Sequence, residues 1–84
     1  MIWRIEWGLV FQRQLATLPS WQAAARLCRV IMIFAENETG PVVQVDPDNP
    51  RILMASAPGA LGFLFADERA GILHALRAGR GPYR

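Results

Sequence analysis

The sequence predicts an α+β protein with the element order β-α-α-β-β-β, in which a two-helix hairpin packs on one face of an antiparallel sheet. Three observations predict this architecture. The first residues alternate between apolar and charged side chains, residues 11–34 repeat apolar side chains at helical spacing, and residues 51–79 contain three short apolar runs. With 84 residues, the chain is expected to form a single domain over residues 1–84.

The opening segment MIWRIEWGL is predicted to be a strand with one buried face. Aromatic and β-branched residues at a period of two are typical of a half-buried strand. One face would carry the apolar residues Trp3, Ile5 and Trp7. The other face would carry Ile2 and the charged residues Arg4 and Glu6.

Two helices are predicted next. Phe11, Leu15 and Leu18 have amphipathic helical spacing, Pro19 ends that helix, and Ser20 is a good N-cap for a second helix that begins at Trp21. Its inner stripe would hold Ala24, Leu27, Cys28, Ile31 and Phe34. The apolar surface of this helix is wider than one stripe, because it also includes Val30, Met32 and Ile33. Either the helix is deeply buried in the fold, or a partner covers these side chains.

Three strands are predicted after a loop-rich segment, in RILMASA, ALGFLFA and GILHALRA. Pro58–Gly59 separates the first two runs, and Asp67–Gly71 separates the second from the third as a hairpin turn. A helix over ADERAGILHALRAG is the competing interpretation, because alanine, glutamate, arginine and leucine favour helices. The hairpin is favoured, since two apolar runs flank the polar turn symmetrically.

Composition limits the functions to be considered. The net charge of +2 is too small to indicate nucleic-acid binding, although residues 77–84 contain three arginines and no acidic residue. All nine basic residues are arginines, which suit bidentate phosphate contacts, but a GC-rich genome would give the same bias. No signal peptide and no apolar run of about 20 residues are apparent, so a cytoplasmic protein without a membrane partner is expected.

No metal or cofactor is expected. The single cysteine, Cys28, excludes an internal disulfide and a cysteine-built metal site, and a buried, unreactive thiol is the default interpretation. Asp46 and Asp48 lack the further acidic residues and the glycine of a calcium loop, and they are interpreted as part of a surface turn.

In their order and spacing these segments resemble the RelE/ParE toxin superfamily of bacterial toxin–antitoxin systems. WRIEW is similar to the family's opening strand, FQRQLATLP to its first helix, and ILHALRAGRGPYR to its closing strand and basic tail. The resemblance implies a microbial-RNase-like α+β fold and an antitoxin partner that covers apolar surface. It implies one of two targets: messenger RNA, cleaved on the ribosome without a metal, or DNA gyrase.

The resemblance also implies site residues. Arg77 and Tyr83 match the closing-strand arginine and the tail tyrosine of RelE-like ribonucleases, and Arg80 is expected to assist them. Arg51 and Arg84 are expected to contribute to nucleic-acid binding, and the apolar positions Val30, Met32 and Ile33 to antitoxin binding. The clearest departure is Leu61–Gly62, where the family usually has an aromatic residue and an arginine.

The chemistry of RNA cleavage tests these assignments. The reaction needs the 2′-hydroxyl deprotonated, the phosphate charge stabilised and the leaving 5′-oxygen protonated. Arg77 would hold the phosphate, and Tyr83 would stack on a base or orient its hydroxyl, because phenols are poor bases near pH 7. His74 precedes Arg77 by three residues, so on a flat strand the two would face opposite ways and His74 is interpreted as structural.

Three functions therefore remain open. The first is a toxin that is neutralised by an antitoxin, and the second is a catalytically degenerate protein of the same fold that only binds a protein partner. The third is an unrelated α+β interaction domain, which a helix over residues 67–79 would favour. The toxin interpretation requires the last strand to pair with its hairpin mate, so that the terminal guanidinium groups and the phenol share one rim.

Overall fold

The computed structural model describes residues 2–81, and within that range it contains two helices and five strands in one sheet. The elements are β1 (Arg4–Trp7), α1 (Leu9–Ala16), α2 (Trp21–Asn37), β2 (Val42–Gln44), β3 (Ile52–Ala57), β4 (Ala60–Asp67) and β5 (Ile72–Arg80). The predicted α+β class and the predicted β-α-α-β-β-β order are confirmed, with one further short strand, β2, in the segment expected to be mainly loop.

The sheet is mixed rather than fully antiparallel. Its strand order is β1-β5-β4-β3-β2, with antiparallel pairs from β2 to β5 and a parallel pair between β1 and β5. The chain passes through both helices and three strands after β1, and β5 then returns to lie parallel beside β1. The last strand therefore occupies a position between the first strand and its own hairpin mate, β4.

The predicted start of α2 at Trp21 is confirmed by its capping contact. Ser20 is the N-cap of α2, and its side-chain oxygen accepts a hydrogen bond from the backbone N–H of Ala23 at 3.0 Å. At the other end Glu38 adopts a left-handed conformation with φ of 55°, and its N–H donates to the Phe34 carbonyl at 2.7 Å. Pro19 is predicted to end the first helix, but α1 already ends at Ala16 with Thr17 as its C-cap, and Pro19 lies in the connection between the helices.

Both helices pack on the same face of the sheet, which we call the inner face. A Cβ atom placed on Gly62 would meet Leu27 of α2 at 3.3 Å and Phe11 of α1 at 3.5 Å. The side chains that are fully or nearly buried against the helices from β3, β4 and β5 are small or aliphatic: Leu53, Ala55, Ala57, Ala60, Leu64, Ala66, Leu73, Ala75 and Ala78. Small side chains let the helices approach the sheet closely.

The hairpin of β4 and β5 contains one irregularity, and it determines which residues share a face. Leu64 pairs with Ala75, whereas the next residue back, Phe63, pairs with Arg77, so Leu76 is an extra residue in β5. One extra residue in a strand is a β-bulge, and it reverses the face of every residue beyond it relative to an uninterrupted strand. The alternative of a helix over this segment is excluded.

Neither described helix is both long enough and apolar enough to cross a membrane. α2, the longer of the two, has 17 residues.

Candidate functional site on the open face of the sheet

The face of the sheet opposite the helices, which we call the open face, holds the candidate site. Its positions follow from the strand register, because directly paired residues share a face. From β2, β3 and β4 they are mostly apolar, with Asp67 as the charged exception: Val43, Ile52, Met54, Ser56, Leu61, Phe63, Phe65 and Asp67. From β1 and β5 they are mostly polar or charged: Arg4, Glu6, His74 and Arg77, with Ile72 and Gly79.

Two aromatic residues of β4 lie directly opposite the two candidate polar residues of β5. Phe63 pairs with Arg77, and Phe65 pairs with His74. Phe63 is 37% exposed, and the ring centroids of Phe65 and His74 are 6.1 Å apart with an interplanar angle of 39°. Directly opposed residues have Cβ atoms about 4.5–5.5 Å apart, so these four side chains form a contiguous patch.

The expectation that His74 and Arg77 face opposite ways is wrong, and the bulge is the reason. Phe63 and Phe65 are two residues apart in a regular strand, so they lie on the same face, and their partners in β5 share that face. The extra residue Leu76 turns a spacing of three residues into an effective spacing of two. His74 therefore stands beside Arg77 on the open face.

His74 also has a charged neighbour from the other side. The parallel pairing of β1 with β5 sets Glu6 opposite His74, and the Nδ1 atom of His74 lies 3.2 Å from Oε1 of Glu6. The side chain of His74 is 26% exposed and that of Glu6 is 63% exposed, so the pair is open to solvent. An ionised carboxylate only accepts hydrogen bonds, and Nδ1 is then the donor.

The other predicted arginines are not brought to this patch. Arg80 pairs with the buried Ala60, so it lies at the edge of the inner face rather than beside Arg77. Arg51 precedes β3, and its carbonyl accepts a hydrogen bond from the N–H of Ala66 in β4. Ala66 is three residues along β4 from Phe63, the partner of Arg77, which corresponds to about 10 Å. The expectation that the terminal guanidinium groups share one rim is therefore wrong for Arg77 and Arg80, because the three-residue step between them contains no second bulge. The last strand does pair with its hairpin mate, so among the described arginines of the predicted set a toxin site has to rest on Arg77.

Gly62, where the resembling family usually has an arginine, faces inward. The approach of Leu27 and Phe11 leaves no room there for a long side chain. The departure from the family pattern is therefore built into the packing of both helices on the sheet. An arginine could not reach the open face from this position.

The remaining predicted residues divide by location. Tyr83 and Arg84 lie outside the described residues. Of the three positions predicted to bind an antitoxin, Val30 is half-buried and packs against the core, whereas Met32 and Ile33 are exposed on α2. Of these three positions, Met32 and Ile33 are thus the ones exposed to a partner.

The described residues offer no ready metal site. Residues 2–81 contain no group of three or more histidine, cysteine, aspartate or glutamate side chains placed to hold a metal ion. Asp46 and Asp48 form the predicted surface turn, in which the N–H of Asp48 donates to Oδ1 of Asp46 at 2.9 Å.

The aromatic pair of the site could have been found from the sequence, but the Glu6–His74 pair could not. Phe63 and Phe65 stand two residues apart in a predicted strand, which indicates a shared face. Glu6 and His74 are separated by 68 residues, and their contact depends on the parallel register of β1 and β5. Neither that register nor the bulge has a sequence signal in this chain.

No protein-family model matches the sequence, and no curated protein matches it. Among solved structures, the chain is similar to a chain of the toxin–antitoxin complex RelBE2 from Mycobacterium tuberculosis. The TM-score is 0.65 at 14% sequence identity, over 96% of this chain and 94% of the other. At this identity the similarity establishes the fold, and it agrees with the architecture expected from the sequence. The chain therefore has a RelE-like fold.

Proposed function

We propose that the chain is the toxin of a bacterial toxin–antitoxin pair, that it arrests growth by cleaving messenger RNA on the ribosome, and that an antitoxin neutralises it. The observation that carries the proposal is the patch of Phe63, Phe65, His74 and Arg77 on the open face. An arginine fork binds phosphate oxygens, and exposed aromatic rings stack on unpaired bases. Gyrase inhibition, the other target implied by the resemblance, has no such direct correspondence with this patch.

Arg77 is the residue we assign to the phosphate. Its position opposite Phe63 would let one nucleotide place its phosphate on the guanidinium while its base stacks on the ring. Tyr83 and Arg84 remain predicted contributors from the end of the chain. Arg80 and Arg51 are too far from this patch to share the same phosphate, and we assign them at most to the path of the RNA outside it.

The antitoxin is the partner that the similar complex supports. Met32 is 45% exposed and Ile33 is 39% exposed, and they are consecutive residues of α2. Apolar side chains of this size in water favour a covering partner. We assign them to antitoxin binding, and the assignment predicts that Met32→Glu weakens the complex with the antitoxin whereas Gln22→Glu, also exposed on α2, does not.

The test of the toxin proposal is induced expression in a bacterial host, followed by primer extension on messenger RNA that is bound to ribosomes. The wild-type chain is expected to arrest growth and to give discrete cleavage ends. Arg77→Ala is expected to relieve both effects, whereas Arg29→Ala, an exposed arginine of α2, is expected to change neither. Circular dichroism of both variants checks that the fold is kept.

Two results would redirect the proposal. Growth arrest without RNA cleavage, together with loss of gyrase supercoiling activity in vitro, would assign gyrase as the target. Harmless expression, with neither RNA cleavage nor gyrase inhibition, would assign the second candidate, a protein-binding module without catalysis. The observation that favours the second candidate is the balance of charge on the described part of the open face, where Arg4 and Arg77 are offset by Glu6 and Asp67.

A further inference from the structure

The Glu6–His74 pair fixes which nitrogen of the imidazole is free. Because an ionised carboxylate cannot donate, the proton of a neutral His74 is held on Nδ1, 3.2 Å from Oε1 of Glu6. The lone pair is then on Nε2, the nitrogen on the far side of the ring. A histidine whose second nitrogen is oriented by a carboxylate is an arrangement that serves general-base catalysis.

Among the described residues, the groups that face the imidazole ring come from β1, β4 and β5. β1 contributes Glu6, and β4 contributes Phe65, whose ring packs at a tilt against the imidazole. On β5 itself the charged neighbour is Arg77, which occupies the next position on the same face because of the bulge. The pair thus lies next to the residue that we assign to the phosphate.

We propose that His74 is the general base of RNA cleavage and that Glu6 is the residue that positions it. This inference rests on the proposed ribonuclease function and adds a base to it. Arginine and tyrosine alone supply no group that accepts a proton readily near neutral pH, whereas histidine is the side-chain type suited to that role.

The proposed step is a transesterification at the phosphate that Arg77 holds. Nε2 of His74 takes the proton of the 2′-hydroxyl, the 2′-oxygen attacks phosphorus, and the bond between phosphorus and the 5′-oxygen breaks. Arg77 balances the charge of the pentacovalent phosphate. Water protonates the leaving 5′-oxygen, and the resulting hydroxide takes the proton from the imidazolium. The products are a 2′,3′-cyclic phosphate and a 5′-hydroxyl end.

The test is single-turnover cleavage of ribosome-bound messenger RNA by purified protein, compared among three variants. His74→Ala is expected to lose about 10²–10⁴-fold in rate, the usual contribution of a general base, and added imidazole is expected to restore part of it. Glu6→Ala is expected to lose less, and Glu6→Gln less again, because an amide oxygen still accepts the Nδ1 proton. Glu36→Ala, an exposed acidic residue of α2, is the control and should cleave at the wild-type rate.

A second measurement does not depend on activity. His74 is the only histidine, so the nitrogen chemical shifts of its ring report its tautomer without overlap. The Nδ1–H form is expected in the wild type and in Glu36→Ala, and a larger share of the Nε2–H form in Glu6→Ala.

The outcomes separate this inference from the function on which it rests. If the wild type cleaves RNA and His74→Ala cleaves equally fast, another group is the base. The general-base role of His74 is then overturned, whereas the proposed ribonuclease function is kept. If His74→Ala is inactive but imidazole restores nothing, a direct proton-transfer role is overturned. If Glu6→Ala changes neither rate nor tautomer, the positioning role is overturned. If the wild type does not cleave RNA at all, the proposed function fails and takes this inference with it.

Discussion

The side-chain oxygen of Gln14 in α1 accepts a hydrogen bond from the backbone N–H of Ala78 in β5, at 2.8 Å. Ala78 is the second residue after the extra residue of the bulge, and it faces the helices. β1 pairs with β5 only as far as Ala75, so Ala78 lies past the end of that ladder, and a partly buried N–H there needs another acceptor. Gln14 supplies that acceptor, so α1 supports the part of β5 that follows the bulge and contains Arg77.

Gln14→Ala is therefore expected to destabilise the protein by about 1–3 kcal/mol, the cost of leaving a buried donor unsatisfied. Chemical denaturation monitored by circular dichroism would measure the loss. Gln22→Ala is the matched control, because Gln22 is exposed on α2 and should cost little. Equal stabilities of the two variants would mean that solvent satisfies the Ala78 N–H and that Gln14 is dispensable.

The inward position of Gly62 leads to a prediction about restoring the family arginine. Gly62→Arg would force a guanidinium between Leu27 and Phe11, and an uncompensated buried charge costs about 3–5 kcal/mol. Loss of the folded protein is expected, not a gain of activity. Thermal unfolding of the purified variant would measure it.

Gly79→Arg is the matched variant for that experiment. Gly79 pairs with Leu61 on the open face, a Cβ there would meet nothing within 4 Å, and its φ is not in the left-handed region. The variant is expected to keep its stability and to bind RNA more tightly by adding a phosphate contact. If Gly62→Arg folds as well as Gly79→Arg does, the assignment of the two faces is wrong.

The overall architecture could be predicted from the sequence because its signals are local. Ser20 marks the start of α2, and the turns at Pro58–Gly59 and after Asp67 mark the hairpins. The parallel pairing of β1 with β5 could not be predicted in the same way, because it joins residues nearly at opposite ends of the chain. Long-range register is set by the packing of the whole sheet and not by any one segment.

The candidate site was harder to predict for the same reason. An uninterrupted strand predicts opposite faces for His74 and Arg77, and the bulge makes that prediction wrong. Grouping Arg80 with Arg77 is a separate error, because residues three apart in a regular strand face opposite ways. A single inserted residue exchanges the two faces, so an error of one position changes every assignment beyond it. Leu76 looks like an ordinary strand residue in the sequence, and nothing local distinguishes it.

Phe63 is expected to bind RNA without supporting the fold. Its ring is 37% exposed, so Phe63→Ala should leave the unfolding midpoint nearly unchanged while weakening the binding of single-stranded RNA by about 1–3 kcal/mol, the contribution of one stacked base. Fluorescence anisotropy with a labelled oligonucleotide would measure the affinity. Trp21→Ala removes an aromatic residue that is 75% exposed on α2, and it should not change the affinity. Similar losses in both variants would argue for nonspecific stacking.

Cys28 is half-buried on α2, and burial raises the pKa of its thiol above the ordinary value of 9.0. Since the thiolate is the nucleophile, we expect iodoacetamide to alkylate the folded protein at pH 8 more slowly than the protein unfolded in guanidinium chloride.

The same shift predicts how stability depends on pH. The folded state holds the thiol proton more tightly than the unfolded state, so this contribution to the free energy of unfolding is present below pH 9.0 and is lost as the pH rises above it. Between pH 8 and pH 10, the free energy of unfolding measured by chemical denaturation should fall more for the wild type than for Cys28→Ala, in which the titrating group is absent. Equal losses, together with equal alkylation rates in the folded and unfolded states, would mean that water reaches the sulfur freely and that α2 packs less closely on the sheet than described.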